Sequence, residues 1–296
     1  MILRDKPSWR ELAFAVRGSI ITVVGPQIIL LAIYSAAMVW LHDHFDAFPE
    51  IDGVAFTVFG VALSLFLGFR NNAAYDRWWE SRKLWGGLLA DVRSFAREAE
   101  LFLPDRADRE RAIRLMLTFM HLHRVHLRNV ADDPRAAELG SEFLSAPHPP
   151  CAVLDSINAR LAEALRAGRL DGFGAKQLAE RLGSITLQQA GAERIVKTPL
   201  PYVYSLLIYR TTYLYCLLLP LALVTAAGWL TPFFVGIVGY VFLGLAEVTE
   251  ELSHPFGTTP NGLPLDAICR AAEISLAVHL GDPVPPPLKA KDYYLS

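Results

Sequence analysis

The stretch Gly68–Gly86, GFRNNAAYDRWWESRKLWG, follows the apolar run VAFTVFGVALSLFL, residues 54–67, without a break. No proline or capping motif separates Phe69 from Arg70, so the spacing predicts one helix that leaves apolar surroundings and continues into polar ones. Along it, Val61, Leu65, Phe69, Asn72 and Asp76 are spaced by four, four, three and four and share a face. That face is apolar above and polar below. One reading is a pore lining: a dry constriction at Val61, Leu65 and Phe69, opening to a wet, acidic vestibule at Asn72 and Asp76. The other is that the three apolar residues are ordinary core positions, with Trp78, Trp79 and Trp85 as an interfacial aromatic belt.

The rest of the chain places this helix in a membrane. The 296 residues carry a formal charge of -2, are 53% hydrophobic and have a mean hydropathy of +0.30. A nucleic-acid partner calls for a basic surface, which is lacking. Such apolar composition points to a membrane protein. The cysteines Cys151, Cys216 and Cys269 are far apart and odd in number, so they are read as buried thiols rather than as a disulfide or metal framework. The basic N-terminus leads into an apolar run too long for a signal peptide, which is read as a retained span.

Four spans are expected, at about 18–41, 54–69, 202–227 and 232–246. The last two are joined by AGWLTP as an antiparallel hairpin. Arg4, Lys6, Arg10 and Arg17 precede the first span, and Arg70, Arg77, Arg82 and Lys83 follow the second. The loop between them, HDHFDAFPEIDG, has Asp43, Asp46, Glu50 and Asp52 and no Lys or Arg. Positive residues stay inside, so both termini and the middle region are expected in the cytoplasm of a bacterium, below its inner membrane.

The cytoplasmic region, about 85–198 and 251–296, reads as helical. RERAIRLMLTFMHLHRVHL has apolar residues at helical spacing, capped by Asp105 or Asp108. SINARLAEALRAG ends at Gly168, and GAKQLAERLGSITLQQAGAERIV is a longer helix. ADDPRAAELGSEFLSAPHPP reads as a loop. LDAICRAAEISLAVHL puts Leu265, Ile268, Cys269, Ala272 and Leu276 on one face and Asp266, Arg270 and Glu273 on the other. The tail GDPVPPPLKAKDYYLS is extended, suited to lying along a surface or a neighbouring subunit.

FLGFRNNAAYDRWWESRKLWG resembles the signature of the bestrophin family, above all its bacterial members. HPFG after the last span is close to the family's Asn-Pro-Phe-Gly, with His254 in place of the Asn. The resemblance implies an all-α, four-span homopentamer, one channel domain over 1–296, with one axial pore. It implies a hydrophobic neck on Val61, Leu65 and Phe69, and a second, cytoplasmic constriction, for which Leu178 is the candidate. It implies no cofactor; the partners are further copies of the chain, the permeant ions and membrane lipids. The acidic run of calcium-gated members is missing from GTTPNGLPLD, so calcium gating is not expected. Acidic rings favour cations. The four acids of the outer loop and Asp76, with Glu80 a possible successor, favour monovalent cations such as sodium. Arg70 argues the other way, although its position about 100° from Phe69 aims it at a neighbouring helix or a lipid headgroup. The anion alternative, chloride through the same fold, stays open because animal members conduct anions.

Other groups are read as structural. His121, His123 and His126 of HLHRVH do not share one face, so no metal site is expected there. Glu247, Glu250 and Glu251 are expected to pair with Arg70, Arg77 or Arg82. No catalytic signature is present, so no enzyme is expected. The remaining rival to a channel is a membrane scaffold that binds a partner through its cytoplasmic helices.

Overall fold

The computed structural model describes residues 1–2, 8–9, 14–16, 18–45 and 53–296. Among these the chain is helical. The helices are α1 Ile21–Phe45, α2 Val54–Phe102, α3 Arg106–Arg128, α4 Pro134–Gly140, α5 Pro149–Arg166, α6 Gly172–Lys197, α7 Tyr202–Ala227, α8 Thr231–Ser253 and α9 Leu265–Leu280. Short 3-10 turns at Ser141–Phe143 and Gly228–Leu230 complete the set. The basic residues Arg4, Lys6, Arg10 and Arg17 lie outside the described residues.

The described residues divide into two compact units. The first contains the described residues from 8 to 78 together with Pro199–His254. Its core joins Val24 and Leu31 of α1, Leu63 and Leu67 of α2, Ile208, Tyr215, Cys216 and Leu219 of α7, and Val235, Leu243 and Ala246 of α8. Small residues let these helices approach. A Cβ on Gly244 would meet Ile20 at 3.3 Å, and one on Gly239 would meet Leu31 at 3.3 Å. With no water to drive association, close packing at small residues is what holds apolar helices together. Their outer surfaces are uncovered: Ile29, Leu30, Ile33, Leu207, Leu214, Phe233 and Val241 are all exposed. So much open apolar surface is incompatible with water and fits lipid.

Among the described residues, three helical stretches are long and apolar enough to cross a membrane: Ile21–Phe45, Val54–Phe102 and Tyr202–Ser253. The third is broken at Gly228, whose φ of 49° closes α7. α7 and α8 then pack on each other, which is the expected hairpin. α2 has 49 residues. At 1.5 Å per residue that is about 74 Å, more than twice the ~30 Å hydrocarbon core. The helix therefore does run on past Arg70, as its sequence predicts, and ends only before Leu103 and Pro104.

The second unit contains Met1 and Ile2, Trp79–Thr198 and Pro255–Ser296. α3 lies at its centre and is buried all round from Leu115 to Arg124. Its N-cap is Asp105, which accepts from Asp108 N at 2.9 Å. The expected loop at 131–150 is instead mostly helical. Asp133 caps α4 with Pro134 in its first turn, and His148 caps α5 ahead of Pro149 and Pro150. Proline after a capping residue starts a helix rather than breaking one.

α9 buries Leu265, Cys269, Ala272 and Leu276 as expected, but Glu273 is buried too. It meets His121 at 3.0 Å, Arg135 at 2.9 Å and Arg270 at 3.1 Å. Burial alone would raise its carboxyl, but the hydrogen bonds and charges of His121 and Arg135 hold it down at about 2. Asp266 pairs with Arg124 and Arg128. The polar face of α9 is thus a charged network rather than a solvated surface. The tail is extended, and its last residues bind this same chain. Leu295 N donates to Met1 O at 2.9 Å and Ala267 N to Ser296 O at 2.9 Å.

Candidate pore-lining face

α2 presents two opposite faces in its first 23 residues. Leu63, Leu67, Arg70 and Ala74 are buried in the chain's own core. Val54, Val58, Val61, Leu65, Phe69, Asn72 and Asp76 are exposed, at spacings of four, three, four, four, three and four. Val61 and Leu65 are each 58% exposed and Phe69 68%. They are therefore not core positions of this chain. The face is apolar to Phe69 and polar from Asn72, an order set by the sequence and kept by the unbroken helix. Gly60 lies between, beneath Tyr215, whose hydroxyl would lie 2.7 Å from an added Cβ.

Arg70 turns away from this face. It is 5% exposed, and its Nη2 donates to Glu250 Oε2 at 2.5 Å and to Ser205 Oγ at 2.9 Å. Arg77 Nε donates to Ser253 O at 2.7 Å, and Tyr209 OH donates to Glu247 Oε2 at 3.1 Å. The expected pairing of the α8 acids with α2 is thus made by Glu250, while Glu247 takes a tyrosine hydroxyl instead. Sequence reasoning missed Ser205, which lies 135 residues from Arg70, and Tyr209, which lies 38 from Glu247, because no local pattern ties either to its partner. Beside the exposed face, a cavity of about 420 Å³ is lined by Phe66, Phe69, Arg70, Ala73, Pro201 and Tyr204, among others.

The other candidates fall in different places. Asp43 is exposed, whereas Asp46, Glu50 and Asp52 lie outside the described residues. Glu80 pairs with Arg194 at 2.5 Å, so its charge is compensated. Leu178 is fully buried within its own chain. A side chain that narrows a shared pore must reach the chain's surface, so Leu178 does not fit that role. On the same helix Leu187 is the large apolar residue exposed at mid-length. Trp85 is fully buried and stacks on His123 at 5.5 Å, so it is no part of an interfacial belt. His123, held between Trp85 and Phe119, has its pKa pushed down to about 3 by burial and by His126 and His148. Its role is packing, as a neutral ring.

A long helix with one face in the chain's core and a second, apolar-to-polar face left open, set among apolar helices with uncovered outer surfaces, defines a helical membrane protein. The chain belongs to the bestrophin family: residues 1–278 match the family described as Bacterial/Fungal Bestrophin protein. It is 41% identical, over 301 residues covering all of this chain and 97% of the relative, to the voltage-dependent anion channel-forming protein mll4386 of Mesorhizobium japonicum. It is 37% identical to the voltage-dependent anion channel-forming protein YneE of Escherichia coli K12, over 93% of each chain. Among solved structures it is similar to a bacterial bestrophin homologue from Klebsiella pneumoniae, with a TM-score of 0.79 and 30% identity over 86% of this chain and 97% of that one.

Proposed function

We propose that the chain is one subunit of a homopentameric ion channel whose axial pore is lined by α2. The observation that carries this is the open face of α2, with Val61, Leu65 and Phe69 followed by Asn72 and Asp76. Five copies turn each apolar position into a ring, and a narrow apolar ring gates by dewetting. The four apolar helical segments, α1, the first part of α2, α7 and α8, each cross the bilayer. Both termini face the cytoplasm, because Lys and Arg are absent from the 42–53 loop and frequent after α2 leaves the apolar run. The membrane is the bacterial inner membrane. With no acidic run after His254, gating does not use calcium.

The permeant ions are small anions such as chloride, the class that the names of the relatives from Mesorhizobium japonicum and Escherichia coli print. Glu80, the possible successor to Asp76 in the charge argument for cations, is paired with Arg194 and adds little to it. One observation still favours the second reading, monovalent cations such as sodium: Asp76 is exposed on the proposed lining. The reversal potential of the purified protein in a planar bilayer under a sodium chloride gradient separates the two. A value near the chloride equilibrium potential supports the first reading. A value near that of sodium supports the second, and Asp76→Asn then lowers the cation-to-anion permeability ratio. The absence of any current, with protein shown to be inserted, favours the scaffold.

A further inference from the structure

The three histidines of HLHRVH go to separate surroundings. His121 bonds Glu273, His123 is sealed between aromatic rings, and His126 turns toward two other helices. The ring of His126, in the last turn of α3, lies 4.5 Å from that of His148, the N-cap of α5. His148 Nε2 is 3.3 Å from Glu193 Oε1 on α6. One donor atom from each of the three residues lies within 4.8 Å of the other two. All three side chains are half-buried, so an ion can reach them from water.

We propose that His126, His148 and Glu193 form a binding site for a divalent transition-metal ion. Two imidazoles and one carboxylate suit zinc best, with water in the fourth tetrahedral position. Donor atoms each ~2.1 Å from a tetrahedral zinc lie about 3.4 Å apart, so modest side-chain rotation closes the site. The surroundings support it. Gln189 Nε2 donates to Glu193 Oε1 at 2.8 Å and so orients the carboxylate. His148 Nδ1 accepts from Cys151 N at 3.3 Å, a long bond. A metal on Nε2 requires the ring proton on Nδ1, so binding exchanges that weak cap for a metal bond. The ion then ties together three helices that are far apart in sequence. Lys197 lies one helical turn after Glu193, with its ammonium 4.0 Å from the carboxylate, and is displaced by the incoming charge.

The test uses the full chain in detergent, free of any affinity tag and stripped with a chelator. Zinc chloride is titrated in competition with a chromophoric zinc indicator, and thermal melting is followed with zinc and with magnesium. The expected result is one zinc per chain and a melting temperature raised by zinc but not by magnesium. His126→Gln and Glu193→Gln each weaken zinc binding at least tenfold, while His279→Asn leaves it unchanged. Both Gln variants sit at half-exposed positions, and their melting without metal checks that they fold. Zinc binding of equal strength in both variants, or no competition with the indicator by the wild-type chain, overturns the proposal. Neither readout requires the channel to conduct.

Discussion

Arg70 decides more than its neighbours because its helical phase takes it out of the stripe. One residue after Phe69, it is buried against Glu250 while Phe69 is exposed. Sequence spacing showed that the two point apart, but the partner came only from the fold. Removing one partner of a buried ion pair leaves a charge without compensation. Glu250 is 39% exposed, so the cost of Glu250→Ala is about 2 kcal/mol, below the 3–5 kcal/mol typical of full burial. A melting temperature in detergent equal to that of the wild type would show that Arg70 does not depend on this acid.

His123 carries a pH prediction. Its folded value, about 3, lies below the ordinary 6.5. Between these values the unfolded chain binds a proton that the folded chain refuses, so stability is fully present above 6.5 and falls as pH drops toward 3. The loss approaches about 1.4 kcal/mol per pH unit. Glu273 adds to it only below its own ordinary value of 4.5. His126, lowered by burial and by His148, acts in the same direction as His123. The comparison that isolates His123 is therefore His123→Phe, which keeps a ring between Trp85 and Phe119. Its melting temperature should fall less between pH 6.5 and 4.5 than that of the wild type. Parallel pH curves would contradict the assignment.

Among the helices, the long apolar or strongly periodic ones were legible and the short ones were not. α2, α3, α6 and α9 follow from periodicity, and the α7–α8 break from AGWLTP. From sequence alone α4 and the start of α5 read as loop, because proline and small residues signal a turn. Each follows a capping side chain, Asp133 or His148, in the place where proline costs nothing. The connector before α9 is tighter than its turn residues suggested. A Cβ on Gly262 would lie 2.3 Å from Gly257 O, a backbone atom that cannot rotate away. Leu263 N also donates to Pro255 O at 2.7 Å. Gly262→Ala is therefore expected to destabilise the second unit by about 1–3 kcal/mol, the usual range for overpacking. A variant with unchanged melting would show that the connector has room.

For the chain taken together, the sequence carried the apolar helices and the stripe on α2 but not the long-range polar contacts. Asp266 with Arg124, Glu273 with Arg135 and Arg181 with Glu98 join residues 83 to 142 positions apart, and no local rule encodes such pairs. Leu178 shows the same limit: an amphipathic pattern says that one face is apolar, but not whether that face meets its own chain or an axis. The stripe on α2 was ambiguous in that same way, and its exposure removed only the reading as core. Its place around a pore is tested most directly by charge placed on it. Leu65→Cys, in a background with Cys151→Ser, is treated in a planar bilayer with a charged methanethiosulfonate reagent while single-channel currents are recorded. Leu63→Cys, on the buried face, serves as the control. The account predicts that modification at position 65 changes the unitary conductance abruptly and that position 63 does not respond. Unchanged currents at position 65, with labelling verified by mass, would place Leu65 against lipid or a neighbouring subunit and contradict α2 as the pore lining.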